Sequence, residues 1–242
     1  MNIVITMAGN GTRFKKQGID EKEKWQLEIK DKTMFEWAMS SLEDFFDEKF
    51  IFIAQEDHEA EEFIQEKCEK LGIHNWSLME VSEKTDGQAT TALLAEEEMN
   101  ENEEFAVYNI DTYVEEGEIK DDIDSDGCIP VFEVEGEKWS FVKTDEKGKV
   151  VDVAEKKRIS NLATLGFYHF GSLKDFRKAY NEMREEVKEE YGEVYIAPLY
   201  NWFIDNDREL SIQKVDEDKI NVLGTPEDII EFWPEFKARW NL

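Results

Sequence analysis

The stretch Ala8-Gly9-Asn10-Gly11-Thr12-Arg13-Phe14 follows directly on a strand-like apolar run at residues 2–7. Two glycines there let backbone N–H groups approach anionic oxygens, and Arg13 adds a planar charged fork, so the spacing reads as a phosphate cradle. It is not a dinucleotide fingerprint, because Phe14 stands where a third glycine is required, nor does it have the G-x-x-x-x-G-K-[ST] spacing of a P-loop. A tight glycine turn with a surface arginine is the competing reading of this stretch taken alone. Asp111 ends a second strand-like run, residues 105–110, where its carboxylate could ligate a magnesium ion bridging phosphate oxygens, although an aspartate after a strand is also a common turn residue. Gln88 offers both a donor and an acceptor to the edge of a base, and Gly87 would let the ring lie against backbone, although Asp86-Gly87 also reads as a simple turn with Gln88 in the first turn of a helix. Glu155 could accept hydrogen bonds from sugar hydroxyls, although Glu155-Lys156-Lys157-Arg158 also reads as a solvated turn.

These residues sit where strands end, and in open α/β sheets ligands bind at the carboxyl ends of strands. The pattern that must position them alternates strand, loop and helix through the first half of the chain. Thr33 and Glu36 have capping-box spacing, and Phe35, Ala38, Met39, Leu42, Phe45 and Phe46 fall on one helical face. Strands are predicted at residues 50–54, 76–81 and 105–110. A helix between the first two presents Ala60, Phe63, Ile64, Cys68 and Leu71 before Gly72 ends it, and another is predicted through 92–99. The second half carries antiparallel signals at 128–134, 139–144, 150–154 and 163–170, with turns at Gly136 and Gly148. Leu173, Phe176, Tyr180, Met183 and Val187 form a long helical stripe. Strands at 210–215 and 220–223 precede a closing helix that Thr225 caps and Pro226 opens. The expected fold is a Rossmann-like three-layer α/β/α arrangement with a mixed, mostly parallel central sheet and an antiparallel elaboration in the second half, built as a single domain over residues 1–242.

Composition excludes several classes of function. A net charge of −29 opposes attraction to nucleic-acid phosphates or anionic lipid, so no nucleic-acid partner is expected. The apolar runs are far shorter than the ~20 residues needed to span a bilayer, and nothing resembles an export signal. A cytoplasmic location is expected, with no membrane insertion. Cys68 and Cys128 read as reduced, buried hydrophobes, and His58, His74 and His169 stand apart without zinc-ligand spacing. None of the three histidines has a triad-like context.

The ordered pieces together resemble the sugar-phosphate nucleotidylyltransferase family, in particular its compact members from capsular and surface polysaccharide pathways. The resemblance runs from the G-x-G-[ST]-R loop through Lys24 and Leu27-Glu28-Ile29, then Lys32-Thr33-Met34-Phe35-Glu36, Asp86-Gly87-Gln88-Ala89 and Asn109-Ile110-Asp111. It continues at Ala154-Glu155-Lys156, Gly166-Phe167-Tyr168, Glu193-Val194-Tyr195-Ile196 and Leu223-Gly224-Thr225-Pro226-Glu227-Asp228, and so spans nearly the whole chain. It implies that a nucleoside triphosphate, UTP or dTTP ahead of CTP, is joined to a sugar 1-phosphate with release of pyrophosphate. Arg13 would hold the triphosphate, Lys24 would neutralise the α-phosphate, and Lys156 would grip the phosphate of the sugar. Asp111 would hold Mg2+. Ala8, Gly9, Asn10, Gly11, Thr12, Gly87, Gln88 and Asn109 would line the nucleotide site, and Glu155, Lys156, Gly166, Glu193 and Tyr195 the sugar-phosphate site. The resemblance departs at Asn221 and Val222, where many family members carry a second metal carboxylate before the late glycine. Alternatives of other classes are a nucleotide-sugar-dependent glycosyltransferase, for which Asn109-Ile110-Asp111 supplies only one carboxylate of a D-x-D-like motif, and a non-catalytic nucleotide-sugar-binding subunit. Homo-oligomer formation is left open.

Overall fold

The computed structural model describes residues 1–240. The first half contains β1 (Asn2–Thr6), α1 (Thr12–Lys15), β2 (Glu28–Ile29), β3 (Lys32–Thr33), α2 (Met34–Ser40), β4 (Lys49–Gln55), α3 (Glu61–Leu71), β5 (Trp76–Val81), α4 (Gln88–Leu93), β6 (Phe105–Asn109) and β7 (Thr112–Val114). The second half adds β8 (Gly127–Glu133), β9 (Ser140–Thr144), β10 (Val150–Glu155), β11 (Leu162–Thr164), β12 (Phe167–Phe170), α5 (Leu173–Tyr191), α6 (Tyr200–Asp205), β13 (Leu210–Lys214), β14 (Ile220–Val222), α7 (Pro226–Phe232) and α8 (Phe236–Trp240).

The main sheet runs β10-β9-β11-β8-β12-β6-β1-β4-β5, with β13 paired to β8. β1 lies parallel between β4 and β6, and β5 extends the parallel edge, whereas β12 pairs antiparallel with both β6 and β8. The α/β class with an antiparallel elaboration is therefore the architecture observed. Period-2 alternation sends the side chains of the central strands β1, β4 and β6 to two covered faces, which is why these strands are almost wholly apolar: Val4, Ile51, Ile53 and Val107 pack on the face covered by α4, α5 and α6. Ile3, Ile5, Phe50, Phe52 and Tyr108 pack on the face covered by α2 and α3. A third, smaller core joins Phe14 and Leu27 to Leu223, Ile229 and Phe236, tying the loop after β1 to the carboxyl-terminal helices.

Some boundaries differ from expectation. The run 163–170 is two strands, because Gly166 takes φ +92 between them and turns the chain so that the Gly166 carbonyl accepts the Asn109 N–H. Helix α4 starts at Gln88 rather than at Ala92, since Gly87 opens it and the Thr91 N–H already bonds back to the Gly87 carbonyl. The capping box at α2 forms as its spacing implies, with Glu36 accepting from both the N–H and the hydroxyl of Thr33. Cys68 and Cys128 are free thiols in the core.

Candidate active site

The carboxyl ends of β1 and β6 are adjacent in register, Thr6 lying beside Asn109, so the loops that leave them open on the same edge of the sheet. The first of these loops turns at Gly11, whose φ of +58 favours glycine, and enters α1 directly. No backbone N–H from Ala8 to Arg13 has a protein acceptor among the described residues, which leaves a concave run of donors. Gln55, at the end of β4, clamps the loop: its amide Nε2 donates to the Ala8 carbonyl at 2.7 Å and to Asn10 Oδ1 at 2.6 Å.

The loop after β6 is held by a buried tyrosine, the Tyr108 hydroxyl donating to the Thr112 carbonyl at 2.9 Å. β14 then pairs antiparallel with β7, and the Leu223 N–H donates to the Asp111 carbonyl at 2.8 Å. Gly224 thereby lies against the Asp111 carboxylate, where an added Cβ would sit 3.3 Å from Oδ2. Lys24, on a 3-10 turn at Lys24–Gln26 that Glu23 caps, donates to Asp111 Oδ2 at 2.7 Å. Burial alone would raise the Asp111 carboxyl, but Lys24 and Arg13 beside it more than offset that and hold it below the usual carboxylate range.

Two adjoining compartments open along this edge. The first, of about 390 Å³, is bounded by the 8–14 loop, Lys24, Gly87, Gln88, Asn109 and Asp111. The second, of about 800 Å³, lies toward β9 and β10 and is bounded by Trp139, Ser140, Glu155, Lys156, Gly166, Tyr168 and Tyr195. Arg13, Gln88, Asn109, Asp111, Glu193 and Gly224 border both, so Arg13 and Asp111 stand on the seam. Three cations, Arg13, Lys24 and Lys84, face two carboxylates in the first compartment, which inverts locally the sign of a very acidic protein.

In the second compartment, Glu155 is 6% exposed and accepts from the Ser140 hydroxyl. Burial pushes its carboxyl up, Ser140 and Lys156 offsetting only part of the effect. Lys156 adopts φ +51, a conformation costly for a side-chain-bearing residue, with its N–H held by the Trp139 carbonyl at 2.9 Å. That backbone aims its ammonium at the Tyr195 hydroxyl, 2.5 Å away. Burial opposes the charge on Lys156, but the Tyr195 hydroxyl and the carboxylates Glu155 and Glu193 outweigh it and raise its pKa.

Every site residue expected from the sequence borders one of the two compartments. Two details differ. Gln88 does not present a whole amide to a base: its Nε2 donates to Asn109 Oδ1 at 2.6 Å and to Thr6 Oγ1 at 3.1 Å, leaving the carbonyl oxygen for a ligand. Gly87 lacks a side chain because the Val194 backbone passes there, 2.4 Å from where a Cβ would be. The sequence reading did not find Gln55 or Lys84. Each is an isolated polar residue in a turn-like context, and only tertiary placement distinguishes it from a solvated one.

Among the described residues no group of three or more His, Cys, Asp or Glu side chains could hold a metal ion. Val222, whose neighbour Asn221 pairs with Tyr113, occupies the stretch where a second carboxylate would have stood. A single ionised carboxylate beside a phosphate-sized cleft fits magnesium, which is commonly held by one or two carboxylates together with substrate phosphates and water. It does not fit an all-protein metal cage. No helix of the described residues is long and apolar enough to cross a membrane.

Comparison with known proteins agrees with this geometry. No protein-family model and no curated protein matches the chain significantly. Among solved structures, the nucleoside-diphosphate-sugar pyrophosphorylase from Vibrio cholerae RC9 is 34% identical, the match covering 96% of this chain and 99% of that one with a TM-score of 0.88. The inositol-1-phosphate CTP transferase from T. maritima, 15% identical over 99% of this chain and 96% of its own, shares the fold at a TM-score of 0.75. So does a UDP-glucose pyrophosphorylase solved with UDP-glucose, 19% identical over 99% and 98% of the two chains, at 0.73. With a full-length relative at this identity and the glycine loop, lysines and strand-end aspartate gathered on one sheet edge, the chain belongs to the sugar-phosphate nucleotidylyltransferase family.

Proposed function

We propose that the protein is a magnesium-dependent sugar-1-phosphate nucleotidylyltransferase, which makes a nucleotide-sugar and pyrophosphate from a nucleoside triphosphate and a sugar 1-phosphate. The observation that carries this reading is the seam: Arg13 and Asp111 border both compartments, Lys24 is bonded to Asp111, and Lys156 faces the second. The triphosphate is assigned to the first compartment and the sugar 1-phosphate to the second. Their phosphates then meet at the seam.

The reaction needs no activated side-chain nucleophile, because a sugar phosphate is already ionised at neutral pH. One of its oxygens attacks the α-phosphorus, an O–P bond forms, and the bond from the α-phosphorus to the bridging oxygen breaks with the electron pair leaving on pyrophosphate. The protein's task is positioning and charge neutralisation. The unpaired N–H groups of the 8–13 loop hold triphosphate oxygens, with Arg13 stabilising the departing pyrophosphate. Lys24 neutralises the α-phosphate, and Lys156 holds the acceptor phosphate. Asp111 would hold magnesium, which when bound supplies charge neutralisation and alignment of the phosphates. Gln88, with its NH2 engaged by Asn109, turns its carbonyl to the base, which suits the N–H edge of uracil or thymine and also the amino group of cytosine. UTP and dTTP are the first candidates, with CTP next. Glu155 and Glu193 accept hydrogen bonds from sugar hydroxyls beside Gly166 and Tyr195. A role in surface polysaccharide synthesis, in the cytoplasm, is the setting we infer from the resemblance.

The test is a panel of UTP, dTTP, CTP and GTP against sugar 1-phosphates, read as pyrophosphate release with magnesium. Release with at least one pair, abolished by chelating the metal, is the expected result. Binding without release for every pair would instead favour a non-catalytic nucleotide-sugar-binding subunit, which the lone carboxylate at the metal position would then explain.

A further inference from the structure

Lys84 lies outside every motif considered above, yet it borders the nucleotide compartment opposite the glycine loop. Its Nζ donates to Glu193 Oε1 at 2.8 Å, and both side chains are about half exposed, 50% and 45%. Glu193 borders both compartments, whereas Lys84 borders only the first.

The backbones carrying this pair are fixed independently of it. The Val194 N–H donates to the Asp86 carbonyl at 3.0 Å, the Ala89 N–H donates to the Val194 carbonyl at 3.0 Å, and Gly87 lets the two segments touch. Asp86 is held in turn by Lys188 at 2.9 Å. The two side chains can therefore part company without disturbing the segments they stand on. An exposed lysine–carboxylate pair is weak, while a nucleoside triphosphate brings several negative charges into the same compartment.

Resting on the nucleotidyltransferase reading above, we propose that Lys84 is a further nucleotide-binding residue, held in reserve by Glu193. A triphosphate in the first compartment draws the Lys84 ammonium onto its oxygens. The Glu193 carboxylate, released, then serves the acceptor in the second compartment. The ion pair is thus a competitor of the nucleotide and a link between the two compartments.

The test is calorimetric titration of the intact protein with UTP, dTTP, CTP and GTP in magnesium, using whichever binds most tightly as the probe. Lys84→Met should weaken its Kd about tenfold, as loss of a charge-assisted contact does. Glu193→Gln should tighten it about threefold, because the competing surface pair is gone. In the Lys84→Met background, Glu193→Gln should then have no effect. The inference is overturned if Lys84→Met leaves Kd unchanged. It is equally overturned if Glu193→Gln tightens binding to the same degree without Lys84, since that is plain repulsion between a carboxylate and the nucleotide. A wild-type protein that binds none of the four nucleotides defeats the proposed function itself, whereas normal wild-type binding with unaffected variants defeats only the role of Lys84. Both positions are solvent-exposed, and unchanged thermal melting of the variants serves as the folding control.

Discussion

Lys24 and Asp111, 87 positions apart in sequence, form a 2.7 Å ion pair at the junction of the two compartments, both side chains more than four-fifths buried. The pair places a fixed positive charge where the α-phosphate is assigned and keeps the neighbouring carboxylate ionised. Lys24→Met removes the cation that acts more strongly on Asp111, Arg13 being the weaker of the two. Turnover should fall by about two decades, as for loss of a transition-state charge contact. The residual activity carries a pH signature with a definite sign. The folded Asp111 carboxyl, depressed in the wild type, rises when Lys24 is lost, so the acid limb of kcat/KM moves to higher pH. A pH profile that falls in amplitude with its acid limb unmoved would mean that Lys24 does not act on Asp111.

Arg13 and Lys156 should separate kinetically. Arg13 stands on the seam and is assigned to pyrophosphate departure, so Arg13→Ala should lower kcat by about two or more decades. Lys156 borders only the acceptor compartment, so Lys156→Met should raise KM for the sugar 1-phosphate by roughly tenfold or more while leaving nucleotide Kd within about twofold. Equal losses of nucleotide affinity in both variants, measured by titration, would contradict the division into two compartments.

Much of this was legible in the sequence, for physical reasons specific to each segment. β1, β4 and β6 are short apolar runs buried on both faces, and the glycine loop and Asp111 follow directly where two of them end. Thr33 with Glu36 and Thr225 with Pro226 announce helices because capping chemistry is local. What was not legible depends on neighbours distant in sequence. Gln55 becomes a loop clamp only because β4 lies in register beside β1. That Gly87 must lack a side chain to let the Val194 backbone, more than a hundred residues away, pass beside it could not be read from the local sequence. The parallel pairing of β13 with β8 is likewise invisible in one dimension, since the run 210–214 carries no mark of its partner.

The clamp is open to direct test. Gln55→Leu removes both amide bonds to the loop without a charge change and without touching substrate. The account predicts a loss of kcat/KM of roughly ten- to a hundredfold, because loosening a donor array by an ångström costs on that scale. Gln55→Asn, too short to reach, should resemble Leu, while Gln55→Glu should restore neither bond, having no donor to offer. Steady-state kinetics with the preferred nucleotide decide it; full activity in Gln55→Leu would show that the loop holds its shape unaided.

Gly87→Ala forces a Cβ to within 2.4 Å of the Val194 backbone, a clash that a flexible side chain cannot relieve. The expected cost is about 1–3 kcal/mol, by analogy with overpacking. At this chain length that lowers Tm by roughly 2–4 °C for each kcal/mol. Nucleotide affinity should drop as well, since the segment bearing Gln88 must move. A variant with unaltered melting and unaltered nucleotide Kd would show that the 82–89 and 192–196 segments are not stitched together as described.

The central claim is that phosphates from two substrates meet at Arg13, Lys24 and Asp111 and exchange a nucleotidyl group there. It is tested most directly by phosphorus NMR of the wild-type protein with magnesium, its preferred nucleoside triphosphate and a sugar 1-phosphate. The account predicts that the sugar phosphate and triphosphate resonances decline together while a nucleotide-sugar diphosphate and free pyrophosphate grow in equal amounts. Formation of nucleoside diphosphate and inorganic phosphate instead, or no conversion with any nucleotide and sugar phosphate tried, would contradict it.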